Sequence, residues 1–240
     1  MGTTAVFLDG PDTEDGVYYP SSDGKPIAET DFHVLAIRLL LDALDDVFAA
    51  REDVYVGGNM NWFWEQGNPK GRRGPDAMVV FDVEKGPRRS FRSWKEGGAV
   101  PAVCFEMASQ RTWQKNLGEV REDYEANGVR EYFVYDPTGE YLEVPLIGFR
   151  RRGRRFTRIR PDAVGGMVSR ELGLCLVPDG LILRLVRPET GEIVLTREEQ
   201  IMAERARASA ATAQSEALAT EVARLKAQLR AAGKSPNGAD

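Results

Sequence analysis

Two short apolar runs constrain this chain more than any other feature, because each carries a carboxylate where a buried strand should carry none. Gly74-Pro75-Asp76-Ala77-Met78-Val79-Val80-Phe81 and Val103-Cys104-Phe105-Glu106-Met107-Ala108-Ser109 are rich in β-branched and aromatic residues and bounded by Gly, Pro or charged loops. That is the pattern of buried strands. Asp76 opens the first run and Glu106 lies inside the second. A carboxylate among strand residues is costly to bury unless it is paired or holds a metal. Two of them on neighbouring strands can form an oxygen-ligand site for a hard divalent cation. The local alternative is that Asp76 caps the turn after Pro75 and Glu106 pairs with an arginine.

A hydrophobic content of 42% over 240 residues is enough for a substantial core, and the length fits one domain with an appendage or two small domains. The net charge of −5 does not suggest a dedicated nucleic-acid binder, although basic patches can sit on an acidic protein. Cys104 and Cys175 both lie in apolar strand-like runs and read as reduced core residues, not as a disulfide or a zinc site. Met1 to Pro11 has no basic n-region and no apolar h-region, and no run approaches the roughly 20 apolar residues of a membrane span. The expectation is a soluble, cytoplasmic protein with no membrane contact.

Along the chain, residues 1–28 read as a loose arm ending beyond the Ser21-Ser22-Asp23-Gly24 turn. Thr30 or Asp31 caps a helix running to about Ala50, with Val34, Ile37, Leu40, Leu41, Leu44 and Phe48 as its apolar face. His33, the only histidine, sits in its first turn and reads as structural or solvated. Glu29 can lean toward a neighbouring metal or simply answer the helix dipole. Val54-Tyr55-Val56 and Met60-Asn61-Trp62-Phe63-Trp64 predict two strands joined as a hairpin through Gly57-Gly58-Asn59. Two basic loops follow, one with Lys70, Arg72 and Arg73, the other with Lys85, Arg88, Arg89, Arg92 and Lys95 around Phe91 and Trp94. Basic residues interleaved with aromatics can track a phosphate backbone and stack on bases; the alternative is a solvated loop pinned by Trp94.

After Glu106, Ser109 or Thr112 opens a helix to about Asn127, stopped by Gly128, with Trp113, Leu117, Val120 and Tyr124 on its buried face. Val129 to Tyr135 is the next strand, so the centre is an α/β core in which Asp76 and Glu106 can share one edge. From Tyr141 to about Leu195, short strands separated by Gly, Pro and Asp turns form a β-rich extension. It contains Arg150-Arg151-Arg152-Gly153-Arg154-Arg155, with Arg158 and Arg160 further on, a run that can meet phosphates or remain solvated hairpin charge. Arg197 to Ala232 has no Gly or Pro and predicts a long helix, in which Leu218, Val222, Leu225 and Leu229 keep the 4-3-4 spacing of a coiled-coil seam. Both a homodimer through this helix and packing back on the domain stay open. The expected organisation is an arm over 1–28, a domain over 29–195, a helix or coiled coil over 196–232 and a disordered tail over 233–240.

Pro75-Asp76 opening a strand, Glu106-x-x-Ser109 ending another, a helix, and then Gly128-Val129-Arg130-Glu131-Tyr132-Phe133-Val134-Tyr135-Asp136-Pro137 together resemble the Uma-two family. These are restriction-endonuclease-like proteins of the PD-(D/E)xK nuclease superfamily. The Asp23-Gly24 arm with Glu29 and His33, the Tyr55-Val56-Gly57-Gly58-Asn59 segment, the Arg92-Ser93-Trp94-Lys95-Glu96-Gly97 loop, Leu172-Gly173-Leu174 and the charged C-terminal helix resemble it too. The resemblance implies a restriction-endonuclease-like core of mixed β-sheet flanked by helices, and an endonuclease that uses Mg²⁺ or Mn²⁺ to hydrolyse phosphodiester bonds of nucleic acid, with DNA the expected substrate. It makes Asp76 and Glu106 the catalytic, metal-binding pair, with the Met107 carbonyl as a further ligand. Arg72, Arg73, Arg88, Arg89, Arg92 and Lys95 become the expected nucleic-acid contacts.

A lysine normally completes such a site. Two residues after Glu106 stands Ala108, and the Asp-x-x-x-Lys of other family members falls on Asn116 and Val120. Lys115 and Arg121 lie one residue away, about 100° round the helix. Glu29, Lys115 and Asn116 are therefore candidate helpers. Two functions follow: an endonuclease, or a catalytically degenerate nuclease fold kept as a nucleic-acid-binding or protein-assembly module.

Overall fold

The computed structural model describes residues 13–20 and 30–233; Glu29, the Ser21–Gly24 turn and the 234–240 tail lie outside the described residues. A two-stranded ribbon of β1 (Thr13–Glu14) and β2 (Val17–Tyr18) turns on Asp15 and Gly16, both at positive φ. Behind it Tyr19 is buried against Phe63 and Trp94. Over these residues the expected loose arm is docked, because a buried aromatic ring repays the ordering of so short a segment.

Helix α1 (Asp31–Val47) starts at Thr30, whose side chain accepts the His33 N–H. It buries His33, Ala36, Ile37, Leu40, Ala43 and Leu44, a stripe at helical spacing. Val34, expected on that face, is half exposed, and Ala36 and Ala43 take the contact instead. Lys85 Nζ donates to the Phe48 and Ala49 carbonyls, answering the negative end of the helix.

The next strands are β3 (Val54–Gly57), β4 (Trp62–Phe63), β5 (Arg72–Arg73), β6 (Ala77–Phe81), β7 (Phe91–Arg92) and β8 (Val103–Met107). The predicted β3–β4 hairpin does not form. β3 pairs antiparallel with β6, while β4 joins a separate small sheet in the order β5-β4-β7. Gly57-Gly58-Asn59 turns the chain out of the main sheet by seating on the start of β6: Asn59 N–H donates to the Pro75 carbonyl at 2.9 Å. Only glycine fits at position 58, where a Cβ would stand 2.1 Å from the Asp76 carbonyl oxygen.

The helical segment after β8 is α2 (Trp113–Lys115), a π turn over Asn116–Val120 and α3 (Arg121–Ala126). The sequence predicts one regular helix here; the structure kinks at Gly118, whose backbone is not helical (φ −104°, ψ −106°). Single π turns of this kind recur at functional sites. The helical segment is the crossover that lets β9 (Glu131–Tyr135) lie parallel to β8. β10 (Leu146–Arg152) and β11 (Arg155–Arg158) extend the same sheet, giving the order β11-β10-β9-β8-β6-β3. β12 (Met167–Ser169), β13 (Leu174–Asp179) and β14 (Ile182–Val186) form a three-stranded antiparallel sheet.

The central sheet is covered on both faces, as its near-continuous apolar strands require. Ala77, Val79, Val103, Phe105 and Met107 pack with α1 and with Leu174, Leu176, Leu183 and Leu185. The alternate residues Met78, Val80, Cys104 and Ala108 pack with Trp62, Phe91, Val120 and Tyr124. Both cysteines are free thiols, Cys104 buried and Cys175 half-buried.

The chain divides into two units between Val194 and Leu195. The second holds α4 (Arg197–Ala232), opened by a capping box in which Thr196 and Glu199 exchange side chain-to-backbone hydrogen bonds. None of its residues is buried, and Leu218, Val222, Leu225 and Leu229 are exposed. Among the described residues no helix is long and apolar enough to cross a membrane.

Candidate active site

The antiparallel register of β6 and β8 sets Ala77 opposite Phe105. One step further along the ladder, Asp76 and Glu106 are cross-strand neighbours on the same face. Both are buried. Asp76 Oδ2 accepts the Met107 N–H at 2.7 Å, tying it across to the other strand. His33 Nε2 approaches the same oxygen at 3.7 Å from the first turn of α1. Glu106 Oε1 accepts the Tyr124 hydroxyl at 2.6 Å. Tyr124 is itself held between Trp62 and Tyr132.

Asn116 Nδ2 donates to the Met107 carbonyl at 3.4 Å, and the Tyr132 hydroxyl donates to the Asn116 carbonyl at 3.0 Å. The π turn thus closes over the end of β8. Arg73, three residues before Asp76, pairs in register with Trp62 on β4. Its Nη2 reaches Asp123 Oδ2 at 2.5 Å and Glu119 Oε1 at 3.8 Å, while its Nε is buried with no hydrogen-bond partner among the described residues.

Like charges directly opposite one another in a sheet repel, and burial adds to that cost. Burial pushes the Glu106 carboxyl well above its ordinary value, and the charge of Asp76 pushes it further. The Tyr124 hydroxyl and the Arg73 guanidinium act the other way. The same enclosure, followed by the charge of Glu106, drives the Tyr124, Tyr132 and Cys104 groups well up, so they stay protonated.

A divalent cation would relieve this arrangement. The side-chain donors are hard carboxylate oxygens in mutual repulsion. Two carboxylates with the remaining positions left to water and substrate phosphate is the habit of Mg²⁺, whereas structural zinc sites enclose the ion with four protein ligands. The donor set fits the group.

The remaining predicted residues fall around this pair unevenly. Ala108, at the first lysine position, is buried, and so are Asn116 and Val120 at the second. Lys115 is exposed, and Arg121 lies over the Phe149 ring. The expected nucleic-acid contacts are largely engaged within the protein. Arg72 donates to the Pro69 carbonyl, Arg88 pairs with Glu96 and covers the Tyr55 ring, and Arg92 is buried near Ser90 and Glu14. Lys95 also lies near Glu14, and Arg89 has an interaction within the protein. The sequence places Tyr124 on a core-facing stripe and Arg73 in a basic loop among the expected nucleic-acid contacts, and puts neither beside the carboxylate pair. For Tyr124 a signal existed, since a buried tyrosine hydroxyl needs a partner and the facing strand offers Glu106. For Arg73 there was none, because its position depends on the long-range pairing of β4 with β5.

A structural search finds the crystal structure of "a putative nuclease belonging to DUF820" from Anabaena variabilis ATCC 29413, with 12% sequence identity, a TM-score of 0.43 and alignment over 66% of this chain and 80% of that one. No curated protein matches. The profile of the Uma2 family, described as "Putative restriction endonuclease", matches residues 7–166. That span is well over half of the sequence and contains Asp76, Glu106, Asn116 and Tyr124, and this chain is therefore a member of the Uma-two family.

Proposed function

We propose that this protein is a divalent-metal-dependent endonuclease that hydrolyses phosphodiester bonds of DNA in the cytoplasm, with Asp76 and Glu106 as its metal ligands. The observation that carries this reading is the buried cross-strand carboxylate pair, each member fixed by a hydrogen bond from the neighbouring element. Mg²⁺ or Mn²⁺, when bound, supplies an activated water and a counter-charge for the phosphate. The protein's part is to hold the ligands still: Met107 N–H orients Asp76, Tyr124 orients Glu106, and Asn116 steadies the Met107 carbonyl.

Arg73 takes the place of the absent lysine. It is a permanent cation whose field favours ionised Glu106, and it is braced by Asp123. A second reading, the degenerate fold kept as a binding or assembly module, is favoured by the burial of Ala108, Asn116 and Val120, where no lysine stands. A homodimer through α4 is compatible with both.

The test is plasmid cleavage in Mg²⁺ and Mn²⁺ by the wild type, Asp76→Ala, Glu106→Ala, Arg73→Ala and Arg73→Lys. Wild-type cleavage should fall at least about a hundredfold in both carboxylate variants and in Arg73→Ala, with partial recovery in Arg73→Lys. Cleavage surviving loss of both carboxylates sinks the assignment. An inactive wild type that becomes active as Asn116→Asp with Val120→Lys makes the degenerate reading correct.

A further inference from the structure

Among the described residues a group of arginines lies together away from the carboxylate pair. A cavity of about 660 Å³ opens beside the β10–β11 hairpin and β12, lined in part by Arg150, Arg152, Arg158, Arg160 and Arg170, with Asp162 the one acid on its wall. Its volume lies within the range of roughly 300–1,000 Å³ typical of ligand sites. Arg150 and Arg152 alternate on β10 and so stand on one face of the hairpin, with Thr157 paired opposite Arg150.

The floor of this cavity is built. Glu131, buried in β9, accepts Arg150 Nε at 2.6 Å, the Ser169 hydroxyl at 2.5 Å and the Arg170 N–H at 3.1 Å, while Arg150 Nη2 donates to the Val168 carbonyl. One carboxylate thus fixes a guanidinium and the backbone that carries another. Asp162 is occupied by its own turn, accepting the Val164 and Gly166 N–H groups. Among the described residues the side chains of Arg152, Arg158, Arg160 and Arg170 have no ion pair, in contrast to the acid-paired Arg73 and Arg88. Four unneutralised guanidiniums in one concavity suit an oxyanion-rich ligand, because arginine's fork matches phosphate geometry.

We propose that this cavity is a phosphate-binding site that grips the backbone of a nucleic-acid strand outside the cleavage centre. Arg150 lies opposite Glu131, which lies opposite Val103, three residues before Glu106 on β8. The cavity is therefore on the order of 15 Å from the carboxylate pair, toward the other end of the strands. A strand held there would be positioned without taking part in the chemistry. The inference rests on the nuclease reading only for the identity of the anion.

The experiment is fluorescence anisotropy with fluorescein-labelled duplex and single-stranded DNA, in EDTA so that no cutting occurs, across a salt series. Wild type, Asp76→Ala/Glu106→Ala, Arg152→Ala/Arg158→Ala/Arg160→Ala/Arg170→Ala and a charge-matched control in α4 (Arg205→Ala/Arg207→Ala/Lys226→Ala/Arg230→Ala) are compared. The cavity variant should bind at least about tenfold more weakly, with the salt slope reduced by roughly one per arginine lost, while the α4 control binds like wild type and loss of the two carboxylates does not weaken binding. If that variant fails to fold by circular dichroism, the single variants Arg152→Ala and Arg160→Ala should each lower the slope by about one. Unchanged binding overturns the proposal, as does a wild type that binds a free mononucleotide but neither strand. Arginine-dependent binding by a protein that never cuts would remove the nuclease reading and leave this one standing. Carboxylate-dependent cutting with arginine-independent binding would do the reverse.

Discussion

Glu106 ionises only against burial and the charge of Asp76, and that has a measurable consequence without metal. Its carboxyl is shifted well above the ordinary value of 4.5, first by burial and then by the charge of Asp76. The sign follows from linkage: below the unfolded value the group is neutral in both states, and the fold carries no penalty. As pH rises through that value the unfolded chain ionises freely while the folded one resists, so stability falls until the folded value is passed. Glu106→Gln keeps an acceptor for the Tyr124 hydroxyl and removes the charge. In EDTA its melting temperature should exceed that of the wild type by more at pH 8 than at pH 5, each kcal/mol appearing as about 2–4 °C in a domain of this size. Added Mg²⁺ should raise the wild type and leave the variant where it was. A gap that is the same at both pH values would show that Glu106 carries no such burden.

At the scale of elements, the site depends on the glycine turn that leaves β3 and seats on the start of β6. Gly58→Ala sets a methyl group 2.1 Å from the Asp76 carbonyl oxygen, where backbone must move on one side or the other. The expected result is a loss of roughly 1–3 kcal/mol in urea denaturation, with cleavage falling because Asp76 is displaced from the Met107 N–H. A variant as stable and active as wild type would mean that the approach is not tight.

This turn also marks what could and could not be read from the chain. β6 and β8 were legible because their apolar runs are self-contained, and the carboxylates stood out within them. α1 was legible from its cap and spacing, apart from which of Val34 and Ala36 turns inward. Gly57-Gly58-Asn59 has the composition of a local hairpin, yet β3 finds its partner in β6 and β4 finds β5 and β7, choices made by burial of whole sheets. The kink at Gly118 left no trace in a pattern that matches a regular helix over the same residues. Arg73, Arg92 and Lys95 looked free because their acids, Asp123 and Glu14, come from distant segments, whereas Arg152, Arg158 and Arg160, equally open to either reading in sequence, have no ion pair among the described residues.

At the scale of the whole molecule, α4 carries apolar residues that are exposed. Its 36 residues span about 54 Å, and helices of that kind take most of their stability from packing an apolar face. None of its residues is buried, and Leu218, Val222, Leu225 and Leu229 present a 4-3-4 row on its second half. A second copy of the same helix would cover that row by knobs-into-holes packing, and two copies would place two carboxylate pairs in one particle. Sedimentation equilibrium should then give a dimer, and Val222→Lys with Leu225→Lys should give a monomer with less helix by circular dichroism. The cleavage products should follow: the wild type, able to cut both strands of a plasmid in one encounter, should linearise it, and the monomeric variant should accumulate nicked circles at a similar rate per site. A wild type that sediments as a monomer at micromolar concentration would leave the row for another partner. A monomeric variant that still linearises the plasmid would show that pairing plays no part in how the two strands are cut.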